Sequence, residues 1–267
     1  MSYWQDKVVV VTGGASGFGQ VIAEMFGRAG AKIAIAALEE DSLAETEQKM
    51  ASLKIETLSI RANITKQPDV ERIFEQTLIR FGKLDVLVNN AGRSMRGKIT
   101  DTTIEQFQSL LDLNVLGTIR CTQMAIPHLL TAKGHIVNIG SLAAKSASRW
   151  VGAYPVSKFA VAAFSQQLRL ELGPEGIHTL LVCPGPLKRS GERLYKLEGT
   201  QDIPEKALAP GAGVHVGTID PHWLAAKILK YCEKRKPELV VPWKARLLFS
   251  ISQLFPSLGD WLVLKNT

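Results

Sequence analysis

Two side chains four residues apart, Tyr154 and Lys158 in the stretch GAYPVSK, have the types and spacing needed for proton transfer. On a helix, positions i and i+4 lie on one face within contact distance. An unperturbed phenol has a pKa of about 10, which makes it a poor acid or base near neutral pH. A neighbouring ammonium favours the phenolate and brings the phenol into a useful range. Taken alone, the pair is more typical of a helix-surface contact, so other residues must decide its role.

A glycine-rich turn follows the first apolar run of the chain. In the stretch TGGASGFG, Gly13 allows a tight turn, Gly17 lets the backbone approach a pyrophosphate, and Gly19 lets a helix pack on the strand. The helix N-terminus would then stabilise the phosphate charge. The spacing is Gly-x-x-x-Gly-x-Gly, and a lone cluster of this kind also occurs in ordinary strand-to-helix turns.

The elements that must position these residues alternate between strand and helix. Short apolar runs predict the strands KVVVVTGG, KIAIAAL, ETLSIRAN, LDVLVNNAG, GHIVNIGS and HTLLVCPG. Helical patterns lie between them, at about 18–29, 41–53, 68–82, 103–130 and 154–172. Pro155 fits the first turn of the last helix. This alternation predicts an α/β fold, a single doubly wound domain over 1–267 with a parallel sheet of about seven strands and helices on both faces.

Composition and cysteine usage point to a cytoplasmic protein. The chain has 267 residues, 46% hydrophobic and 21% charged, which are values typical of globular proteins, and it contains no long uncharged apolar run. The polar start MSYWQDK runs directly into the first strand and leaves no room for a secretory signal. The three cysteines, Cys121, Cys183 and Cys232, fit neither a disulfide framework nor a zinc site, so we expect buried thiols and no metal.

The ordered set of motifs resembles the short-chain dehydrogenase/reductases, in the common subclass with TGxxxGxG and YxxxK. The motifs are Thr12-Gly13-x-x-x-Gly17-x-Gly19, NNAG at 89–92, Asn114, Ser141, Tyr154-x-x-x-Lys158 and Pro184-Gly185. The resemblance runs from about residue 7 to 190 and includes the thirteen-residue step from Ser141 to Tyr154. It implies a Rossmann-type domain and an NAD(P)-dependent oxidoreductase that interconverts a secondary alcohol and a ketone or aldehyde.

The resemblance also implies the catalytic roles. Tyr154 would exchange a proton with the substrate oxygen, and Lys158 would favour the phenolate and bind the nicotinamide ribose. Ser141 would hold the substrate oxygen. Asn114 would bind a water that connects Lys158 to solvent as a proton relay.

Cofactor contacts are implied at the glycine turn, at the strand ends and after the last motif. The implied residues are Gly13, Ser16, Gly17, Phe18, Gly19, Leu38, Asn63, Ile64, Asn90, Ala91, Gly92, Tyr154, Lys158, Pro184, Gly185 and Leu187. The family usually has an aspartate at position 63, and the side-chain carbonyl of Asn63 can accept the same hydrogen bond from the adenine amino group.

The end of the second strand bears on the choice between NAD and NADP. An acidic residue there binds the ribose 2′-hydroxyl of NAD, whereas a basic one accommodates the 2′-phosphate of NADP. Ala37 and Leu38 occupy these positions, and Ser16 stands where many NADP-dependent members carry a basic residue. The charge of Glu39 would repel a phosphate, so the sequence favours NAD while leaving NADP open.

A substrate loop is predicted at 186–221, where the strand–helix rhythm stops and glycine, proline and charge increase. The family commonly has a threonine at the position of Arg189. Either Ser190 replaces it, Arg189 faces the substrate or carboxamide, or Arg189 is a solvated surface residue. The rest of the pocket is expected to be lined by Arg93, Ser94, Met95, Trp150 and the residues after Ser141.

The apolar tail at 242–267 carries a stripe at helical spacing, formed by Leu247, Leu248, Ile251, Leu254 and Phe255. From residue 223 onward, eight Lys/Arg face three Asp/Glu, so five of the seven net positive charges lie there. The tail is expected to pack on the chain's own core, on a sister subunit or over the substrate entrance, and the alternative is a peripheral membrane contact. It resembles the tails of family members that act on lipophilic alcohols, which favours an apolar or lipid-like substrate.

Two other classes of function are less compatible with the sequence than an enzyme is. A non-catalytic nicotinamide-binding sensor or scaffold would not need both Tyr154 and Lys158, and this chain has both. A nucleic-acid partner is not expected, because net charge alone supports it. The resemblance implies a homodimer or homotetramer formed through the helices at 103–130 and 154–172.

Overall fold

The structure is a computed structural model that describes residues 2–188, 203–208 and 217–266. Arg189, Ser190 and most of the predicted loop 186–221 lie outside the described residues. Seven strands are present in the described part of the chain: β1 Val8–Thr12, β2 Lys32–Ala37, β3 Thr57–Arg61, β4 Val86–Asn89, β5 His135–Ile139, β6 His178–Pro184 and β7 Glu238–Val241.

The strands form one sheet in the order β3-β2-β1-β4-β5-β6-β7, and every neighbouring pair is parallel. The strand order reverses between β1 and β4, because β1 pairs with β2 on one side and with β4 on the other. In such sheets the crevice outside the carboxyl ends of the strands, at this reversal, is where ligands bind.

Helices cover both faces of the sheet. They are α1 Gly17–Arg28, α2 Glu40–Ser52, α3 Gln67–Phe81, α4 Ile104–Leu111, α5 Gly117–Ala132, α6 Tyr154–Leu172, α7 Pro221–Glu233, α8 Ala245–Leu254 and α9 Pro256–Asn266. Alternation along β1 divides the core: Val9 and Val11 pack with α1 and α7, whereas Val10 packs on the other face with α3 and α5. The predicted doubly wound α/β fold is therefore confirmed.

The helix predicted over 103–130 differs from a single α-helix. Between α4 and α5 the chain makes a π-helical turn at Asp112–Leu116. Thr103 begins α4 with a capping box, in which its hydroxyl accepts from the Gln106 amide and the Gln106 side chain accepts from the Thr103 amide. The π turn contains Asn114, and such turns occur often at functional sites.

At the amino edge of the sheet, side chains from three parts of the chain form a buried hydrogen-bonded chain. The Tyr3 hydroxyl lies 2.8 Å from His135 Nε2, His135 Nδ1 lies 2.9 Å from His178 Nδ1, and His178 Nε2 lies 2.8 Å from the Lys236 carbonyl. Cys232 Sγ is within 4.8 Å of histidine nitrogens of this group. Both imidazoles find partners at both nitrogens, which explains why two histidines are buried here.

The three cysteines are free and buried, as expected. Burial raises the pKa of the Cys121 and Cys183 thiols to about 12 and raises the pKa of Cys232 as well. A thiol in that state is a poor nucleophile, so all three act as small apolar side chains.

The histidine pair makes stability depend on pH. Burial, followed by the charge of His178, lowers the pKa of His135 from 6.5 to about 3, and burial lowers the pKa of His178 to about 4. Below pH 6.5 the unfolded chain therefore binds protons that the native protein does not. The free energy of unfolding should be highest above pH 6.5 and should fall as pH drops from 6.5 to about 4, as measured by urea unfolding at a series of pH values. His178→Gln should make this pH dependence shallower, whereas His222→Gln, at an exposed position, should not; an equal slope in all three proteins would contradict the assignment.

Candidate active site

All the predicted site residues that precede the substrate loop lie at or just beyond the carboxyl edge of the sheet. The glycine turn follows β1, Leu38 follows β2, Asn63 and Ile64 follow β3, 90–92 follow β4, Ser141 follows β5, and Gly185 follows β6. Because parallel strands end at one edge, residues far apart in sequence meet there.

The glycine turn has the geometry that its sequence predicts. Gly13 has a φ of +61° and donates to the Ala36 carbonyl at 2.7 Å, which ties the turn to β2. A Cβ on Gly19 would lie 2.1 Å from the Gly13 carbonyl oxygen, so only glycine lets α1 approach the turn this closely. Gly17 has a φ of +52°, and a Cβ built there would have no neighbour within 4 Å. The turn therefore leaves open space beside Gly17.

The N-terminus of α1 is open to an anion. Its N-cap residue Ser16 makes no side-chain capping hydrogen bond, and the first turn contains no acidic residue. The first backbone N–H groups of a helix lack intrahelical partners and carry partial positive charge. Phe18 is half-buried and packs on the core beneath. The turn and helix together form a site with the chemistry that binds phosphate.

Thr12 and Asn90 join the ends of β1 and β4. The Asn90 side-chain amide donates to the carbonyls of Thr12 and Gly13 at 3.0 and 3.1 Å. The Thr12 hydroxyl accepts from the amides of Asn90 and Ala91, both at 3.1 Å. These four bonds fix the two strand ends between which the strand order reverses.

Lys158 lies at the centre of the candidate site. Its ammonium donates to the Ile139 carbonyl at the end of β5, at 2.7 Å, and lies 5.8 Å from the centroid of the Tyr154 ring. The residue is only 7% exposed. Burial lowers the pKa of Lys158 to about 8. The lysine and tyrosine predicted to act together are thus neighbours, with the lysine buried and the tyrosine half-buried.

Asn114 and Gly92 lie next to Lys158. A Cβ on Gly92 would lie 2.9 Å from Asn114 Oδ1 and 3.9 Å from Lys158 Nζ. The Asn114 side chain accepts from the Arg93 amide at 3.0 Å and donates to the Arg93 carbonyl at 2.9 Å and to Ser157 Oγ at 3.0 Å. All three bonds are made to protein atoms, and they join the π turn to the segment after β4 and to α6.

Ser141 begins a short turn that packs on α6. Its hydroxyl oxygen accepts from the Ala143 amide at 3.1 Å, and the turn Leu142–Ala144 contacts the helix that carries Tyr154. Tyr154 itself is half-buried in the first turn of α6, with Pro155 next to it. The start of α6 is therefore set where the proline predicted.

Two of the expected pocket residues, Met95 and Trp150, make hydrogen bonds that join the segments on either side of the site. Met95 is buried, and its sulfur accepts from the Ala153 amide at 3.3 Å. The Trp150 carbonyl accepts from the Gly97 amide at 3.2 Å, and Gly152 donates back to the Gly97 carbonyl at 3.1 Å. The segment after β4 therefore pairs with the segment before α6 and holds the tyrosine in place.

The residues expected on the adenosine side are placed less uniformly. Leu38 is 53% exposed at the edge, whereas Ile64 is buried and packs against Gly117. The Asn63 side-chain carbonyl accepts from the amide and the hydroxyl of Thr65, at 3.0 and 2.9 Å. Both lone pairs of this oxygen are thus engaged. What the Asn63 side chain can still offer to a ligand is its amide group, as a hydrogen-bond donor.

The end of β6 leads directly into the substrate loop. Gly185 donates to the Val241 carbonyl at 2.8 Å, and Leu187 forms a parallel bridge with Ile219. Pro184 is the last residue of β6 and is buried. Both ends of the loop are therefore held together at the sheet.

Sequence reasoning missed two residues that the structure places in this site. Ser157 accepts from Asn114 and donates to the Tyr154 carbonyl at 2.7 Å, and its position one residue before Lys158 was a signal for this. Arg96 is buried and donates to the Ala207 carbonyl at 2.7 Å, which anchors the short helix Glu205–Leu208. No local pattern marks Arg96, because its partner lies 111 residues away.

Comparisons with known proteins agree with this geometry. The sequence matches the family model described as short chain dehydrogenase over residues 7–194. An uncharacterized oxidoreductase of Staphylococcus aureus (strain MRSA252) is 31% identical over 215 residues, which are 78% of this chain and 92% of that protein. The chain belongs to the short-chain dehydrogenase family of oxidoreductases.

Solved structures show the same fold. A short-chain dehydrogenase from Streptomyces avermitilis matches with a TM-score of 0.80 and 28% identity, covering 98% of both chains. A short chain dehydrogenase/reductase from Burkholderia phymatum, solved in complex with NAD, matches with a TM-score of 0.83 and 23% identity, covering 95% of this chain and 96% of that one.

The close approach at Gly19 gives a test of the turn. Gly19→Ala should lower the free energy of unfolding by about 1–3 kcal/mol, because the added methyl overlaps a backbone carbonyl that cannot move without opening the turn. Chemical denaturation of both proteins measures this. Gly217→Ala is the matched control, since a Cβ there meets open space; equal loss of stability in the two variants would contradict the proposed packing.

Proposed function

We propose that this protein is a nicotinamide-dependent oxidoreductase that interconverts a secondary alcohol and a ketone or aldehyde, and that its substrate is apolar. The observation that carries the proposal is the buried Lys158 ammonium, which lies beside the Tyr154 ring, Gly92 and Asn114 at the carboxyl edge of the sheet. The apolar tail helices beside this edge support the substrate class. When bound, the nicotinamide would supply hydride transfer, which the chain's own side chains cannot perform.

The residues at the edge fit such a cofactor. The open space at Gly17 and the uncapped N-terminus of α1 suit a pyrophosphate. The Asn63 amide group would donate to the adenine ring, since its carbonyl is engaged by Thr65. Lys158 would bind the nicotinamide ribose, and the backbone at Pro184, Gly185 and Leu187 would contact the nicotinamide end.

In the proposed mechanism, Tyr154 holds and moves the proton. In reduction its hydroxyl donates to the substrate oxygen, and in oxidation its phenolate accepts the alcohol proton. The nearby Lys158 charge stabilises that phenolate in a site with little water. Ser141 orients the substrate oxygen. The hydrogen bond from Lys158 to the Ile139 carbonyl keeps the ammonium where the phenolate forms.

The proton relay would use the backbone of Asn114. The Asn114 amide group donates both of its hydrogens, to the Arg93 carbonyl and to Ser157 Oγ, and its Oδ1 accepts from the Arg93 amide. We assign the relay water to the main-chain carbonyl of Asn114, which also accepts from the Thr118 hydroxyl at 3.0 Å. The π turn displaces this carbonyl from the regular helical ladder. A water held there would connect Lys158 to solvent.

We also propose that the protein works in the cytoplasm as a single domain with 186–221 as its substrate loop, and that it is a homodimer or homotetramer. The oligomer would use α4, α5 and α6, where exposed apolar residues are Ile104 on α4, Leu116 in the π turn just before α5, and Phe159 and Leu170 on α6. Among the described residues, no helix combines the length and the apolar character needed to cross a bilayer. A contact at a membrane surface through the tail is compatible with that finding.

Replacing the phenol separates catalysis from binding. Tyr154→Phe should lower turnover of a reactive alcohol or ketone by at least about 100-fold, because the group that exchanges the proton is lost. Cofactor binding, measured by NADH fluorescence, should be retained. Tyr231→Phe, at a half-buried tyrosine on α7, should keep full turnover. Undiminished turnover by the Tyr154 variant would end the assignment.

Charge at the end of β2 should select NAD over NADP. Glu39 is exposed at the N-cap of α2, and the charge of Arg61 at the end of β3 is offset by Glu40 at 3.5 Å. NADH should therefore bind at least about fivefold more tightly than NADPH, through repulsion of the 2′-phosphate. Glu39→Gln should reduce the difference in affinity between NADH and NADPH, whereas Glu47→Gln, on the outer part of the same helix, should leave that difference unchanged. Tighter binding of NADPH by the unmodified protein would refute this preference.

A further inference from the structure

The last two helices expose an unusual amount of apolar surface. Within the described part of the chain, seven of the 17 exposed large hydrophobic side chains lie after residue 242. We call this set the tail surface; it consists of Trp243, Leu247, Leu254, Phe255, Leu258, Trp261 and Leu264. Trp243 and Leu254 are 72% and 73% exposed, so they are not marginal members. Large apolar side chains exposed in such number on two adjoining helices are typical of an interaction site.

The tail surface is separate from the packing that attaches α8 to the domain. The inner face of α8 presents Ala245 and Phe249 to a core that includes Ala144 and Leu142. Leu247 and Leu254, seven residues apart, lie on the opposite face of the same helix. The stripe predicted from the sequence is therefore divided: Leu248 and Ile251 are half-buried, and the other members point outward.

Helix α9 adds to the same surface. It crosses α8 where Gly259 is buried against Ser252, so closely that a Cβ on Gly259 would lie 2.6 Å from the Ser252 Cα. Although this side of α9 packs on α8, three of its large apolar residues remain exposed: Leu258, Trp261 and Leu264. A helix with apolar residues on both sides is normally covered on both.

The charges around the tail surface are mostly positive. Between residues 243 and 265 there are three basic residues, Lys244, Arg246 and Lys265, and one acidic residue, Asp260. Arg246 is partly offset by Glu238 at 3.8 Å, and the Lys265 ammonium lies 5.1 Å from the Trp261 ring centroid. Tryptophans and lysines beside exposed leucines are the composition of helices that lie in a membrane interface.

We propose that the tail surface docks on a bilayer that contains anionic lipid, with α8 and α9 lying in the headgroup region. Helices of 10 and 11 residues are too short to span a bilayer, but they are long enough to lie along its surface. Lys244 and Lys265 meet the lipid phosphates while the tryptophans and leucines enter the acyl boundary.

A lipid surface fits these observations better than a second copy of the chain. Pairing two tail surfaces about a two-fold axis would bring like patches together, and each presents the same lysines. Like charges facing each other across an interface oppose association, whereas anionic headgroups neutralise them. The occupant is therefore identified by its charge as well as by its apolar character.

The location of the tail surface relates docking to the candidate active site. Phe249 and Ala245 of α8 belong to the same hydrophobic cluster as Leu142 and Ala144, in the turn that directly follows Ser141. A docked bilayer would lie beside the candidate active site, where an apolar substrate dissolved in lipid could enter. Only this consequence rests on the proposed function, since the docking itself does not depend on turnover.

Vesicle co-sedimentation of the full-length protein tests the docking. Vesicles of phosphatidylcholine with phosphatidylserine should bind the protein, vesicles of phosphatidylcholine alone should bind it more weakly, and high salt should reduce the binding. The double variant Leu254→Ser/Trp261→Ser should lower partitioning at least about tenfold, because both side chains would stay out of the lipid. Ile79→Ser, at an equally exposed isoleucine on α3, is the matched control and should bind as the unmodified protein does.

The possible outcomes are distinct. Absence of binding to anionic vesicles by the unmodified protein would overturn the proposal, as would equal binding by the double variant. If sedimentation equilibrium instead shows that the double variant dissociates an oligomer and neither protein binds vesicles, a second copy covers the surface. NADH binding without vesicles should be the same in all variants, so failure of the docking does not affect the proposed chemistry.

Discussion

The buried ammonium of Lys158 is the constraint on which the arrangement of the site depends. A charge removed from water is unfavourable unless it is held by hydrogen bonds or by an opposite charge. The drop of its pKa to about 8 is the sign of that strain, and the Ile139 carbonyl offsets part of it. A phenolate at Tyr154 would offset the rest. The Lys158 ammonium is thus most stable when Tyr154 is a phenolate, which is the state that the proposed chemistry requires.

The surrounding structure follows from the position of this lysine. A Cβ at position 92 would lie 2.9 Å from Asn114 Oδ1, too close without a shift of that side chain, and at an ordinary contact distance of 3.9 Å from Lys158 Nζ. Asn114 must then turn toward Arg93 and Ser157, and the helix accommodates it with a π turn. Packing around one charge therefore shapes a strand end, a loop and two helices.

Elements governed by local signals could be predicted from the sequence. Most strands are short apolar runs, three of which (β1, β5 and β6) are followed directly by glycine, and Pro155 marks the start of α6. Features governed by distant partners could not be predicted. The π turn is one such feature, and the partners of its Asn114 side chain lie 21 and 43 positions away along the chain. His135 and His178 meet only because β5 and β6 pair in register.

The tail shows the same limit in another form. Helical periodicity identified an amphipathic segment, but it did not show which side of α8 would face the domain. That choice depends on Phe249 and on the close crossing of α9 at Gly259, which are tertiary contacts. The Asn63 carbonyl is a further case, because the neighbouring Thr65 engages the acceptor that the family pattern assigned to the cofactor.

The claim that Lys158 makes Tyr154 an effective acid and base is tested most directly by the pH dependence of alcohol oxidation at saturating NAD. The unmodified protein should lose rate as pH falls, because the phenolate that accepts the alcohol proton becomes protonated. In Lys158→Met this loss should begin at a higher pH, since the neighbouring charge that favours the phenolate is gone. An identical pH profile in the two proteins, with turnover retained, would contradict the account.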